Sequence, residues 1–253
     1  MKCLAVAALI LAQLSAADLK PQTVEAFDRY VRQTEERLGK ATPFLWADES
    51  PDRARRVKQG EIVVAPFGKR PDIDVIGGLV HDWVGSVFVP GATIEKTIRK
   101  MQDYNHKEDY KPEVVTSKLL GREGNDFTAY MRLLKKKVIT VVLDTEHQVH
   151  YFEVGPGKWR SNSRTTKINE VSNAGKSDER AKPPDTGEGF LWRLNSYWRF
   201  EERDGGTWVE CEAISLTRDV PTGLGWMIKP IIRDLPKESL ESTLLHTREA
   251  LSK

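Results

Sequence analysis

FLWRLNSYWRFEERDGGTWVECEAISLTR, residues 190–218, is the stretch whose reading decides the fold. Two alternating runs flank the glycine-rich turn Asp204-Gly205-Gly206, the signature of a β-hairpin. Side chains alternate along a strand, so Phe190, Trp192, Leu194, Ser196, Trp198 and Phe200 fall on one face, with Arg193, Asn195, Arg199 and Glu201 on the other. Across the turn, Val209, Cys211, Ala213 and Ser215 form one set and Trp208, Glu210, Glu212 and Arg218 the other. A two-residue loop sets the large aromatics against the small residues, and Arg199 against Glu210 or Glu212. A slip of one residue would put Trp198 against a glutamate, which burial forbids. Large aromatics facing small residues leave space above the sheet that something must cover.

Working outward, the sequence before this hairpin reads as strands. Residues 112–120, 126–137, 138–154 and 158–171 follow one another with short glycine-rich connections, among them Gly121-Arg122-Glu123-Gly124 and Gly155-Pro156-Gly157. With 187–202 and 207–218 they make six successive strands, and turns this tight make them antiparallel. The one long connection, 172–188, is polar and holds Gly175, Pro183, Pro184 and Gly187, so it is expected to be mobile or to form a lid. Residues 62–66 and 74–89, rich in Val and Ile, read as earlier strands, and Ile94, Ile98 and Met101 mark a helix over 93–104. Two further helices are expected at the ends. Val24, Phe27, Val31 and Leu38 recur at helical spacing over 21–40, and Leu240, Leu244, Leu245 and Leu251 form a stripe after Pro236. The charged stretch 48–60, with Pro51, reads as a loop. The C-terminal leucine stripe is the natural cover for the hairpin's aromatic face. Trp192 and Trp198 are therefore expected to point toward Leu240 and Leu244, with Arg199 pointing away.

The first residues have a separate character. Lys2, an apolar run over 4–14 and Ser15-Ala16-Ala17 precede the polar Asp18 and Lys20, which is the pattern of a cleaved secretory signal. The apolar run is too short for the ~20 residues of a spanning helix. Residues 1–17 are expected to be the signal, so the protein is expected to be exported (periplasmic or secreted), with no stable membrane insertion after cleavage. Removing them takes away Cys3, leaving Cys211 without a disulfide partner and reading as a small buried hydrophobe. The chain has 253 residues, enough to bury a sizeable core. Lys and Arg number 39 against 37 Asp and Glu, with the signs interspersed. That balance argues against a nucleic-acid partner, and Lys135-Lys136-Lys137 reads as the wet end of a strand pair.

The chemistry is sparse. His147 and His150 are three apart, which on a strand sends them to opposite faces, so they cannot chelate one metal ion; His81-Asp82 fails likewise. Neither a nucleophile elbow nor a phosphate loop is present, and no cofactor is implied. Polar residues on otherwise apolar strands remain. His147 shares a face with Ile139, Val141, Leu143, Val149 and Tyr151, as either a satisfied core histidine or a cavity group. Tyr130, Arg132, Arg160 and Arg164 sit on adjacent strands; one inward arginine would anchor a carboxylate or phenolate. The Arg199 pair with Glu210 or Glu212 reads as structural.

The order of elements, a helix after the first strands, a long antiparallel sheet and a terminal amphipathic helix, resembles the START-like (SRPBCC) superfamily of polyketide cyclase-like and coenzyme Q-binding-like proteins. The residues that carry the resemblance are Val87-Phe88-Val89-Pro90, Gln102-Asp103-Tyr104, Tyr110-Lys111-Pro112-Glu113-Val114, Trp198-Arg199-Phe200, Glu210-Cys211-Glu212 and Pro221 leading to Gly225-Trp226, over roughly 74–252. The resemblance implies an α+β helix-grip fold, a curved sheet gripping the last helix around an apolar tunnel. Residues 18–60 then form an N-terminal helix and loop added to a domain spanning 61–253. The function expected is a carrier of a hydrophobic small molecule or lipid. Its candidate cavity residues are Trp192, Trp198, Phe200, Tyr130, Arg132, His147, Arg160, Leu240 and Leu244. The alternatives are a cyclase- or hydrolase-like enzyme using the same cavity and a protein–protein interaction module.

Overall fold

The computed structural model describes residues 18–106, 110, 112–136, 139–219 and 230–253. The expected signal over 1–17, and Lys111, Lys137, Pro221, Gly225 and Trp226 of the quoted motifs, lie outside the described residues. Helix α1 (Pro21–Gly39) opens the chain, with Pro21 at its start and Thr23, Phe27, Val31, Thr34 and Leu38 buried along one stripe. Thr23 replaces the expected Val24 on that stripe, because its Oγ1 donates to the carbonyl of Ile76 at 2.6 Å.

The stretch 48–60 is helical where a loop was expected. A 3-10 turn (Trp46–Glu49) leads to α2 (Pro51–Lys58). Ser50 Oγ accepts the N–H of Arg53, Pro51 sits in the first turn, and Arg55, Arg56 and Lys58 fill the last. Those are the residues that cap and charge a short helix at both ends. Pro51 starts this helix; it does not break one.

Strands β1 (Val63–Pro66), β2 (Asp72–Val75), β3 (Gly78–Pro90), β4 (Val114–Glu123), β5 (Asp126–Lys136), β6 (Thr140–Gly155), β7 (Lys158–Ser172), β8 (Arg180–Ala181), β9 (Arg193–Arg203) and β10 (Gly206–Thr217) form one antiparallel sheet, with helix α3 (Ile94–Met101) between β3 and β4. Its main order is β1-β3-β10-β9-β7-β6-β5-β4, with β2 on β3 and β8 on β7. Thr93 caps α3 by accepting the Lys96 N–H. A π turn (Pro230–Asp234) leads into the terminal helix α4 (Leu235–Ser252).

The decisive hairpin closes with Arg203 opposite Gly206, and with positive φ at both Asp204 and Gly205. That conformation matches the twist of the strands. Trp198 lies opposite Cys211 and Arg199 opposite Glu210, which is the register burial requires.

The sheet has two differently used faces. On the inner face, Leu240, Leu244 and Leu251 of α4 pack with Trp83, Val87, Val89, Phe200, Val209 and Cys211. Leu245, expected in the stripe, is only half-buried, and Thr247 is buried in its stead. Gly85 lets the helix approach: a Cβ there would lie 2.6 Å from Leu244 Cδ1 and 2.7 Å from Val64 Cγ2. Leu235, at the other end of α4, packs with Leu133, Val141, Leu143 and Ile168 of β5–β7, so the sheet wraps around the helix. The outer face of β3, β9 and β10 is covered by the N-terminal elements: Phe27, Val31 and Leu38 pack on Val80, Tyr197, Ile214 and Leu216, and Leu45, Trp46 and Val57 on Val84, Phe88 and Trp208. No helix of the described residues is long and apolar enough to cross a membrane.

Candidate functional site: an apolar cavity under the terminal helix

Where the sheet wraps α4, the two do not fill the space between them. A cavity of about 310 Å³ remains, lined mostly by apolar groups. Strict alternation builds its wall. Met131 and Leu133 of β5, Val141, Leu143, His147, Val149 and Tyr151 of β6, and Trp198 of β9 face it, as do Cys211 and Ala213 of β10. Leu240 and Ile232 close it from the helix side. Hydroxyls from β7, β9 and β10 add a polar track of Ser161, Ser163, Ser196 and Ser215. The charged residues of the wall, Lys100, Asp103, Glu113 and Lys135, come from α3, the connection after it and the β4–β5 edge. Lys135 Nζ and Glu113 Oε2 pair at 2.5 Å.

Each polar group on the wall has a definable state. Tyr151 is fully enclosed and donates to the carbonyl of Met101 at 2.8 Å, so Tyr104 donates to Tyr151 in turn, at 2.9 Å. Burial raises both phenols far out of their ordinary range. His147 is buried, and burial alone pushes its pKa down to about 4, so the ring is neutral. Cys211 is buried, and burial, with Glu212 and Glu210 close by, raises its thiol well above the usual value, which makes it inert. At one end His81 Nε2 pairs with Thr217 Oγ1 at 2.9 Å and His81 Nδ1 lies 3.4 Å from Asp72 Oδ1. Arg233, just before α4, reaches the other oxygen of Asp72 at 3.1 Å. This chain ties β2, β3 and β10 to the entry of the terminal helix.

Of the nine residues singled out from the sequence, Trp198, His147 and Leu240 line the cavity. Phe200 and Leu244 lie beside it in the inner-face core, Phe200 stacked on Trp198 with centroids 6.0 Å apart. The other four lie elsewhere. Trp192 packs on the outer face with Phe27, Val31 and Leu216. Its N–H donates to the carbonyl of Leu216, the residue that Arg193 also pairs with, so two successive residues face one partner and the alternation slips. Phe190 and Leu191 take the inner position instead. Tyr130 and Arg132 occupy even positions of β5, while the cavity takes the odd ones. Arg132 clamps Asp144 through Nε at 2.7 Å and Nη2 at 2.9 Å, and Tyr130 donates to Asp144 at 2.6 Å. Burial acts to raise the Asp144 pKa, and these hydrogen bonds outweigh it and hold it below its ordinary value. Arg160 faces outward over the Phe44 ring at 5.3 Å, and burial, then Arg199, lowers its pKa. His150 also faces outward, exposed and paired with Asp126 at 2.8 Å, on the opposite face from His147.

The long connection 172–188 forms no cover over this cavity. It is tied to the sheet: Val171 pairs with Ala181, Asn169 donates to Lys182 O at 2.7 Å, and Glu170 accepts the N–H groups of Glu188 and Phe190 at 2.6 and 3.1 Å. Ser196 and Ser215 follow from the hairpin alternation, but Ser161 and Ser163 escaped the sequence reading. Their signal was available, since Ser161 and Ser163 alternate on β7 with Arg160 and Arg164, yet small polar residues are as common on wet strands as on cavity walls.

The sequence matches no family model and no curated protein. Among solved structures, the chain is similar to the STAR-related lipid transfer protein of Xanthomonas axonopodis (fragment 25–204), with 16% identity and a TM-score of 0.51 over 76% of this chain and 99% of that one. Similarity also extends to TTHA0849 from Thermus thermophilus (16% identity, TM-score 0.48, 66% of this chain and 94% of that one) and to human STARD10 (10%, 0.44, 85% and 83%). With a long antiparallel sheet wrapped on a terminal helix and a cavity between them, the protein has a helix-grip fold, which the lipid transfer protein of Xanthomonas axonopodis shares.

Proposed function

We propose that the protein is an exported carrier that holds a hydrophobic small molecule or lipid in the cavity beneath α4. The observation that carries this reading is the cavity wall: a mostly apolar enclosure of about 310 Å³ with a buried, neutral histidine among its few polar groups. That volume lies at the lower end of small-molecule sites, and its composition suits desolvation of an apolar ligand with a few oriented polar contacts. The lipid-transfer neighbour of the same fold is in keeping with this. Export rests on Lys2, the apolar run over 4–14 and Ser15-Ala16-Ala17. A catalytic reading needs acid, base and electrophilic groups converging on one point; here the tyrosines are committed to one another and to Met101, and the arginines Arg132 and Arg160 lie on the far face.

Native mass spectrometry of protein purified from its own cells tests the carrier reading. A co-purified apolar molecule, lost in the Trp198→Ala variant, is the expected result. An empty protein that also fails to quench Trp198 fluorescence with a panel of lipids and polycyclic aromatics overturns it.

A further inference from the structure

The hydrogen bonds around His147 specify the chemistry of the ligand more closely than the shape of the cavity does, and this inference rests on the carrier reading above. Thr145 is fully buried two residues before His147, on the same side of β6. Its hydroxyl donates its single proton to the carbonyl of Met131 at 3.0 Å. The contact of 2.9 Å between Thr145 Oγ1 and His147 Nε2 must then run the other way, with Nε2–H donating to the threonine oxygen. That fixes the tautomer. The remaining ring nitrogen, Nδ1, carries a lone pair and no proton, and it has no hydrogen-bond partner among the described residues. His147 itself is only 7% exposed and lines the cavity.

We propose that the cavity selects an uncharged hydrophobic ligand carrying a hydroxyl donor, such as a phenol or an alcohol, whose O–H is accepted by His147 Nδ1. The cavity serines do not blur this selection, because a serine hydroxyl rotates to donate or accept. Nδ1 can only accept. An ether or ester of the same shape leaves it unpaired, and a carboxylate meets a lone pair in a low-dielectric enclosure, where its own desolvation is unfavourable. Burial keeps the ring neutral, with a pKa of about 4, so the imidazole does not turn into a cation that would welcome an acid. The lysines on the wall, Lys100 and Lys135, lie at the α3 and β4–β5 edge, and Lys135 is paired with Glu113.

Three probes of one shape test this by fluorescence titration at neutral pH: naphthol, methoxynaphthalene and naphthoate, substituted at the same ring position. The wild type should bind naphthol about three- to tenfold more tightly than the methyl ether, the worth of one hydrogen bond, and naphthoate more weakly than either. His147→Phe should abolish the preference of naphthol over the ether. Thr145→Val gives a second, sharper reading. It removes the acceptor of Nε2–H, so the proton moves to Nδ1 and the cavity presents a donor. The order of naphthol and ether should then narrow or invert, an effect that a purely structural role for Thr145 would not produce. Equal binding of naphthol and ether by the wild type, or tightest binding of naphthoate, overturns the hydroxyl assignment while leaving the carrier reading in place. No binding of any of the three overturns both.

Discussion

Arg199 and Glu210 show how one pair of residues can hold two layers together. Their side chains are 4% and 0% exposed and meet at 2.6 Å on the outer face of β9 and β10. Glu210 also accepts the N–H groups of Trp46 and Ala47 at 2.9 and 3.0 Å, and Arg199 donates to the carbonyl of Phe44 at 3.0 Å. The ion pair therefore serves as the socket for the 3-10 turn that leads to α2. Replacing Arg199 by Met leaves a buried carboxylate facing two amides and no cation. The expected loss is about 3–5 kcal/mol, measured by urea unfolding, because removing one partner of a buried pair exposes the full desolvation penalty of the other. Trp198, on the inner face of the same strand, responds differently. Trp198→Ala should reduce stability by about 3 kcal/mol, the low end for an aromatic truncation, because one side of the indole already faces the cavity. Its distinguishing effect should be an altered affinity for the naphthol probe.

At the scale of elements, two helices grip the sheet by opposite means. Helix α4 docks through apolar contact at a glycine. Gly85→Ala would drive a Cβ into Leu244 and Val64, and the expected destabilisation is about 1–3 kcal/mol by thermal unfolding, with a change in cavity volume because Leu240 moves with the helix. Helix α1 docks through apolar contacts and through buried charge. Arg37 pairs with Glu212, and Tyr30 donates to Asp82 at 2.8 Å. Asp82 Oδ1 and Glu212 Oε2 are buried with no hydrogen-bond partner among the described residues, and the charge of Glu212 acts on Asp82. Burial, then the charge of Glu212, raises the Asp82 pKa to about 8. In the unfolded chain the same carboxyl titrates near the ordinary value of ~4. Between these values the native state keeps a proton that the unfolded state has released, so this group's contribution to stability falls as pH rises from about 4 to 8. Thermal unfolding should show the midpoint decreasing over that window. Asp82→Asn should flatten the decrease and raise the midpoint at the alkaline end, because the uncharged amide removes the repulsion by Glu212 while its oxygen still accepts from Tyr30.

For the whole molecule, the cavity makes stability and binding one equilibrium. A ligand that enters only the folded state adds RT ln(1 + [L]/Kd), about 2.7 kcal/mol at a hundredfold excess over Kd. In a chain of this length that corresponds to roughly 5–10 °C in Tm. Naphthol should produce such a rise in the wild type, and methoxynaphthalene at the same concentration a smaller one. The difference should vanish in His147→Phe. Calorimetry with each probe checks the expectation without an assumption about the natural ligand.

Much of this architecture was legible because the hairpin over 190–218 couples a period-two pattern to a turn that permits one register. Trp198 over Cys211 and Arg199 over Glu210 follow from local sterics, and the α4 stripe follows from helical spacing. The α2 helix was legible too, through Ser50-Pro51 and the basic last turn, but a proline in a charged stretch is equally at home in a loop. What the linear sequence did not determine was which face each polar residue would take at a break in the pattern. Trp192 turned outward because two residues share Leu216 as a partner, and that slip depends on α1 offering Phe27 and Val31 as a new apolar surface. The fate of Arg132 and Arg160 rested on Asp144 and Phe44, and only the paired strands and the folded N-terminal segment bring these within reach. Alternation and helical periodicity are local properties, written in the order of the residues. The direction of a charge, the tautomer of His147 and the emptiness between sheet and helix arise from the meeting of segments far apart in the chain, and the tertiary structure alone decided them.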